Sequence, residues 1–420
     1  MTHCADLPVM PGPTFPSCLA PPSRHARPHL PVMPGLTGHL LHGTKILCNF
    51  VGYMIKRLLL TGLALAALVA CKQTGSAPRE AIGLVQSIVE DTTGVREIVA
   101  KAGRIGADGS IALLGEPADV ARLAAKFQAA DRVDNVDGRE KPDSLRDFAG
   151  ETIDALLDAY NAPYCHFAQN ESLDSLREVA VRGALHAWDT VCYRSATDHR
   201  AILKKASAKI LIFSSSLQAE YGVFDVDTLQ QLLGGKSRVL SPVNVLLEDA
   251  LAAGAQNLVV WTSSAVKEAR VWEKALAATG RVNVTLAAYT PEQAVDVRTR
   301  FRNVLRQYQV TGLPLDALII DDYQVNLRPL ETELALIRLC GTEEDTVFDQ
   351  MLGPQFRFLN PADAVIRATY NLLRKENLFA HKIAQPVVKY YESAESASGD
   401  VVLVEAAASY VKDTYVPELY

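Results

Sequence analysis

The feature that most constrains this chain is a regular alternation of short apolar segments with amphipathic helical patterns between residues 190 and 320. The apolar segments lack the polar alternation of half-exposed strands, so both of their faces should be buried. Such strands, separated by helices, are typical of parallel sheets. We predict an α/β fold with two lobes, whose parallel sheets are covered by helices on both faces. The predicted strands are 190–193, 209–213, 238–240, 257–261, 283–286 and 317–320, and the predicted helices are 225–233, 243–253, 265–279 and 291–308.

The remaining elements are predicted from the same periodicities. A short strand or turn at 111–115 leads into a helix at 116–127, helices follow at 148–160 and 173–187, and the last part is predicted as strand 356–358, helix 361–375 and strand 401–404. The predicted divisions are a leader at 1–53, a signal peptide at 54–70, a tether and first helix at 71–100, a first lobe at 101–255, a second lobe at 256–380, and a segment at 381–420 that returns to the first lobe.

An export signal lies inside the written sequence. Lys56 and Arg57 precede a short apolar run at 58–70, which ends in small residues before Cys71. The run falls short of the roughly 20 residues that cross a bilayer. The pattern resembles the lipobox of bacterial lipoproteins, which implies a diacylglycerol and palmitate on Cys71. We therefore expect a lipid-anchored protein of the cell envelope that faces the periplasm or the exterior.

Residues 1–53 have the composition of a segment without a core. They are rich in proline and repeat one hexapeptide, LPVMPG, at 7–12 and 30–35. No amphipathic period is present. Two interpretations stay open: translation starts at Met54, or the segment is a disordered leader.

Charge and cysteine spacing exclude several classes of function. The net charge is −6, and no basic stripe is interleaved with aromatic residues, so nucleic acid is not an expected partner. No short paired spacing of cysteine or histidine predicts a metal site, and no cofactor is expected. A bridge between Cys165 and Cys192 and free thiols are both compatible with the sequence.

Hydroxyl and carboxyl side chains follow the predicted strands. Ligands of open α/β sheets bind at the carboxyl ends of strands, so these side chains could hold a small polar solute. Some of the hydroxyls could instead cap the helices that follow. The candidate ligand-binding residues are Ser214, Ser215, Ser216, Ser241, Thr262, Ser263, Tyr289, Asp321 and Asp322.

The order of elements from 209 to 326 resembles a type I periplasmic solute-binding protein. The segments that carry the resemblance are NLVVWTSS at 257–264, VTLAAY at 284–289 and DALIID at 316–321. The family implies a cleft between two hinged lobes, a solute taken up or sensed, and a membrane permease as a possible partner. On this resemblance we expect binding rather than catalysis.

A second resemblance, to haloacid-dehalogenase-like phosphatases, is the alternative. It rests on VFDVDTL at 223–229 and on the strand ends at 259–263 and 318–322. It implies Asp225 as nucleophile and Asp227 as acid/base, with Thr262 and either Lys267 or Lys274 on the phosphoryl oxygens and Asp321 or Asp322 on Mg²⁺. A racemase with paired cysteines is not expected, because Thr262 and Ser263 stand at the obvious strand end.

Overall fold

The computed structural model describes residues 79–417, except 93, 171, 204, 237, 293, 294 and 383. The predicted leader, the signal peptide and the lipid-bearing Cys71 lie outside the described residues. Within the described part, no helix combines the length and the apolar character needed to cross a membrane.

Two parallel sheets form the body of the molecule, one in each lobe, which confirms the predicted two-lobed α/β class. The first sheet has the order β12-β11-β2-β1-β5-β6 and is parallel except for the β11–β12 pair; the second has the order β10-β9-β7-β8 and is parallel throughout. The strands are β1 (Ser110–Gly115), β2 (Thr152–Leu157), β3 (Val191–Cys192), β4 (Ile202–Leu203), β5 (Ala208–Phe213), β6 (Val239–Leu240), β7 (Asn257–Trp261), β8 (Thr285–Tyr289), β9 (Leu315–Ile320), β10 (Leu352–Leu359), β11 (Val387–Glu395) and β12 (Val401–Ala406).

Helices connect the parallel strands and cover them. They are α1 (Gly83–Glu90), α2 (Val95–Ala102), α3 (Pro117–Ala129), α4 (Cys165–Gln169), α5 (Leu173–Trp188), α6 (Ser216–Leu232), α7 (Pro242–Ala252), α8 (Ser264–Glu268), α9 (Val271–Ala278), α10 (Val297–Gln309), α11 (Leu327–Arg338), α12 (Glu343–Met351), α13 (Pro361–Glu376) and α14 (Ala408–Tyr415).

Burial of both faces of the sheet explains why the sequences of the strands are mostly apolar. In β1, Ile111 and Leu113 belong to a core with α3, α13 and α14, while Ala112 and Leu114 belong to an opposite core with α5 and α6. All six residues of β1 are buried. Because successive side chains point to opposite faces, a strand covered on both sides is apolar at most of its positions.

The two lobes share a hydrophobic core. Leu217 and Tyr221 of α6, in the first lobe, pack in one cluster with Leu258 and Ile319 of the second sheet. Continuous packing of this kind favours a fixed arrangement of the lobes. It does not match the hinged cleft that a solute-binding protein requires.

Three local predictions are wrong. The segment predicted as a helix at 148–160 contains β2, and α6 begins at Ser216, nine residues before the predicted start. The helix predicted at 265–279 is divided into α8 and α9 at Arg270, whose φ of 54° is left-handed. The strand β11 between residues 387 and 395 was not predicted.

Candidate functional site

The carboxylate of Asp321 is held by three side-chain donors from different elements. Asp321 follows β9; its Oδ1 accepts a hydrogen bond from Ser216 Oγ at 2.6 Å, and its Oδ2 accepts bonds from Thr262 Oγ1 at 2.8 Å and Trp272 Nε1 at 3.1 Å. Ser216 follows β5 of the first sheet, whereas Thr262 follows β7 of the second. The carboxyl ends of both sheets therefore meet at this carboxylate.

Helix caps fix the loops that carry these donors. Ser215 Oγ accepts from the backbone N–H of Gln218 at 3.3 Å, and Ser263 Oγ accepts from that of Val266 at 3.4 Å. Each serine satisfies a free amide of the first helical turn. The caps leave the neighbouring hydroxyls of Ser216 and Thr262 available for Asp321.

A glycine lets the end of β1 approach the end of β5. Gly115 has a φ of 156°, and a Cβ built on it would lie 2.0 Å from Ser214 Oγ. No larger residue fits against this hydroxyl. The close contact brings Glu116 and the start of α3 next to the serines at the end of β5.

Three charged residues at the start of α3 complete the arrangement: Glu116, Asp119 and Arg122. Burial first, and then the negative charges of Glu116 and Asp322, raise the pKa of Asp119 to about 7 against the opposing charge of Arg122. Burial also raises the pKa of Asp321, although its three hydrogen bonds act in the other direction. Asp119 therefore changes its protonation state near neutral pH.

Tyr323 lies within the electrostatic reach of both Asp119 and Asp321. Burial first, and then these two carboxylates, raise its pKa well above the usual range. Its hydroxyl, Ser214 Oγ and Gln218 Oε1 are buried and have no hydrogen-bond partner among the described residues. Ser214 and Tyr323 follow strands and Gln218 lies in the first turn of α6. Buried polar atoms are normally satisfied, so these three atoms could bond a polar ligand. We call this group the strand-end site; it comprises Glu116, Asp119, Ser214, Ser216, Gln218, Thr262, Asp321 and Tyr323.

The residues predicted to bind a ligand divide into two groups. Ser214, Ser216, Thr262 and Asp321 belong to the strand-end site, with Ser215 and Ser263 as caps beside it. Of the others, Asp322 acts on Asp119 and Asp321 through its charge while its Oδ1 accepts from Gln324 N at 2.8 Å. Tyr289 ends β8 at the edge of its sheet, and Ser241 precedes α7 without a side-chain cap bond.

The residues of the phosphatase alternative do not form a site. Asp225 lies in the middle of α6 rather than after a strand, is fully buried, and is bonded by the guanidinium of Arg177 at 2.6 and 2.9 Å. Asp227 lies in the same helix, and Lys267 lies in α8 with an exposed side chain. Within the described residues, no group of three or more His, Cys, Asp or Glu side chains could hold a metal ion.

The sequence left open a bridge between Cys165 and Cys192, and this bridge does not form. Cys192 is a buried thiol in β3 whose Sγ donates to Ile202 O at 3.5 Å, and Cys340 is an exposed thiol. The strand ends carry serine, threonine and aspartate.

Sequence reasoning missed Glu116, Asp119, Gln218, Trp272 and Tyr323. The first two could have been found, because β1 was predicted and its following residues could have been read as those of the other strands were. Gln218 and Trp272 lie within helices, and their proximity to the site depends on how those helices pack, which the sequence pattern does not encode.

Comparison with known proteins gives matches to solved structures only. No protein-family model matches the chain, and no curated protein matches it. The RacE1 isoform of glutamate racemase from Bacillus anthracis is 13% identical with a TM-score of 0.45, over 74% of this chain and 95% of that one. Glutamate racemase from Francisella tularensis, solved with D-glutamate, is 11% identical with a TM-score of 0.44, over the same shares. Picrophilus torridus aspartate racemase is 13% identical with a TM-score of 0.34, over 57% of this chain and 100% of that one.

These comparisons correct both functions predicted from the sequence. The similar solved structures are amino-acid racemases, not solute-binding or transport proteins and not haloacid-dehalogenase-like phosphatases. The strand-and-helix pattern that suggested solute binding is common to many α/β folds and does not specify a function. At such identities and TM-scores, an activity has to be argued from the site itself.

Proposed function

We propose that this chain is an enzyme that moves protons to and from a small polar substrate bound at the strand-end site. The observation that supports this most is the fixation of Asp321 by Ser216, Thr262 and Trp272. General acid–base catalysis needs a carboxyl group held in one orientation within reach of the substrate. Asp321 is only half-buried, so it is fixed without being closed off.

Asp119 would be the group that exchanges the proton. Its pKa of about 7 means that both protonation states are populated near neutral pH, which is the best condition for an acid–base catalyst. Asp321 would be the second carboxyl group of the acid–base pair, held in one orientation by its three hydrogen bonds. Two carboxyl groups in different surroundings can take different roles in one reaction.

The charge of the site restricts the substrate. Carboxyl groups outnumber cations here: Asp119 interacts with Glu116, Asp322 and Arg122, and Asp321 interacts with Asp322. The unpartnered hydroxyls of Ser214 and Tyr323 and the amide oxygen of Gln218 would bond polar groups of the substrate. We therefore expect a neutral or amine-bearing substrate to bind better than a dianion.

Hydrogen exchange tests this proposal. We expect the protein in D₂O to replace a carbon-bound hydrogen with deuterium in at least one member of a panel of amino acids with anionic, neutral and cationic side chains, measured by proton NMR. Asp119→Asn and Asp321→Asn should each lower the exchange rate by about 10²- to 10⁴-fold. Asp413→Asn, which changes an exposed carboxylate on α14, is the matched control and should leave the rate unchanged.

The pH profile of the same exchange reaction identifies the role of Asp119. If Asp119 is the base, the rate should rise as the pH increases through about 7, and Asp119→Asn should remove this inflection. Exchange that survives both variants would place the chemistry elsewhere. Binding of panel members without exchange would make this a binding site and not a catalytic one.

We also propose that the folded body is anchored to a membrane through a lipid on Cys71. The support is the order of cations, short apolar run and small residues before this cysteine. Cells fed radiolabelled palmitate should incorporate label into the wild-type chain and not into Cys71→Ser. Equal labelling of the two chains would contradict the proposal.

A further inference from the structure

An open cavity of about 600 Å³ lies in the first lobe, apart from the residues of the strand-end site. It is bounded by the carboxyl end of β2, by α5 and by the β11–β12 hairpin. Its volume is within the range of small-molecule sites. The side chains of Leu156, Leu185 and Leu403 provide an apolar wall.

The polar part of this cavity is the carboxylate of Asp158, which is 5% exposed. Its Oδ1 accepts from Ser393 Oγ at 2.7 Å and Asn161 Nδ2 at 2.9 Å, and its Oδ2 accepts from Tyr164 Oη at 2.8 Å. All three donors are neutral. The described residues make no ion pair with Asp158, although buried carboxylates are usually paired with a cation.

The other charged groups of the cavity do not supply that cation. Arg182 is exposed and faces Glu178 at 3.8 Å. Burial and then the charge of Lys205 lower the pKa of His186, although the carboxylates of Asp158 and Asp189 act in the other direction, so the net effect disfavours a charged imidazole. Asp400, on the hairpin, adds a further negative charge at the wall. The cavity therefore combines an apolar wall with an excess of negative charge.

We propose that this cavity is a second binding site, for a small amphipathic amine whose ammonium group pairs with Asp158 and whose aliphatic part packs on the leucine wall. A charge-assisted hydrogen bond contributes more than a neutral one, and the apolar part of the ligand gains from leaving water. An anionic ligand of the same length would meet Asp158 and Asp400 and be repelled. The proposal does not rest on the reaction proposed above, although Tyr164, which donates to Asp158, is also hydrogen-bonded to Glu116 and Gln218 of the strand-end site.

Three probes of equal chain length test the charge preference: hexylamine, 1-hexanol and hexanoate. We expect hexylamine to raise the melting temperature of the full protein and to bind about 10- to 100-fold more tightly than 1-hexanol in calorimetry. Hexanoate should have no effect. A preference for hexanoate, equal effects of hexylamine and 1-hexanol, or no effect of any probe would overturn the proposal.

Variants locate the binding. Asp158→Asn should abolish the preference for hexylamine, and Leu185→Trp, which fills the apolar wall, should weaken the binding of the amine at least tenfold. Asp174→Asn, an exposed carboxylate on the same helix, should behave as wild type. If Asp158→Asn fails to fold by circular dichroism, Leu185→Trp decides. Loss of the amine effect in Asp119→Asn would place the amine at the strand-end site and overturn the proposal.

Discussion

Lys209→Met should lower the free energy of unfolding by about 3–5 kcal/mol, because it leaves a buried carboxylate without its cation. Lys209 Nζ lies 2.6 Å from Glu151 Oε2, and neither side chain is exposed. The same ammonium donates to the carbonyl oxygens of Leu378 at 2.7 Å and Ala107 at 2.9 Å. Urea unfolding followed by circular dichroism measures the loss.

An exposed lysine gives the control for this measurement. Lys101 pairs with Glu97 on the surface of α2, and both side chains are at least 70% exposed, so Lys101→Met should change stability by less than about 1 kcal/mol. The double variant Lys209→Met, Glu151→Leu should recover part of the loss, because it removes the uncompensated charge. Similar losses of unfolding free energy for Lys209→Met and Lys101→Met would show that the buried pair stabilises the fold no more than the exposed pair does.

Asp225→Ala should cost about 3–5 kcal/mol, since it leaves the guanidinium of Arg177 buried without its main partner. Asp225 also accepts from the backbone N–H of Ile82 at 3.2 Å, so the variant releases the segment before α1 from α6. Denaturant unfolding measures this cost. The residue that resembled a phosphatase nucleophile thus has a structural role.

Asp174→Ala separates the effect of burial from the effect of pairing. Asp174 bonds the same guanidinium at 3.0 Å, but its side chain is 84% exposed. The expected loss is below about 1 kcal/mol. Equal losses for Asp174→Ala and Asp225→Ala would contradict the assignment of the large effect to burial of the arginine.

The parts of the fold that the sequence predicted are those with an uninterrupted local signal. The strand β7 is apolar after its first residue, β9 is apolar except for Asp316, and the helix that follows β1 begins with proline in its first turn, a strong start signal. Their ends also indicated Thr262 and Asp321 as site residues. Local pattern was sufficient here because every position of these two strands except Asn257 and Asp316 is buried.

The strand β2 was not predicted because the side chains that stabilise it are distant in the sequence. The strand β2 carries Asp154 in its middle, a residue that is rare in strands. Its carboxylate is tolerated because Ser110 Oγ donates to it at 2.6 Å and Lys205 Nζ lies 4.0 Å away. Neither partner is near it in the sequence, so a window around residue 154 favoured a helix.

The position of β11 has a consequence for the order in which the chain can mature. This strand pairs with β2, although more than 200 residues of the chain, including the whole second sheet, lie between them. Until the ribosome has delivered β11, the backbone of β2 presents an open edge on which another chain could add a strand. Closing so distant a pair is slow. The nascent protein is therefore prone to aggregation until β11 pairs with β2. A chaperone that binds unfolded chains would be useful during this period.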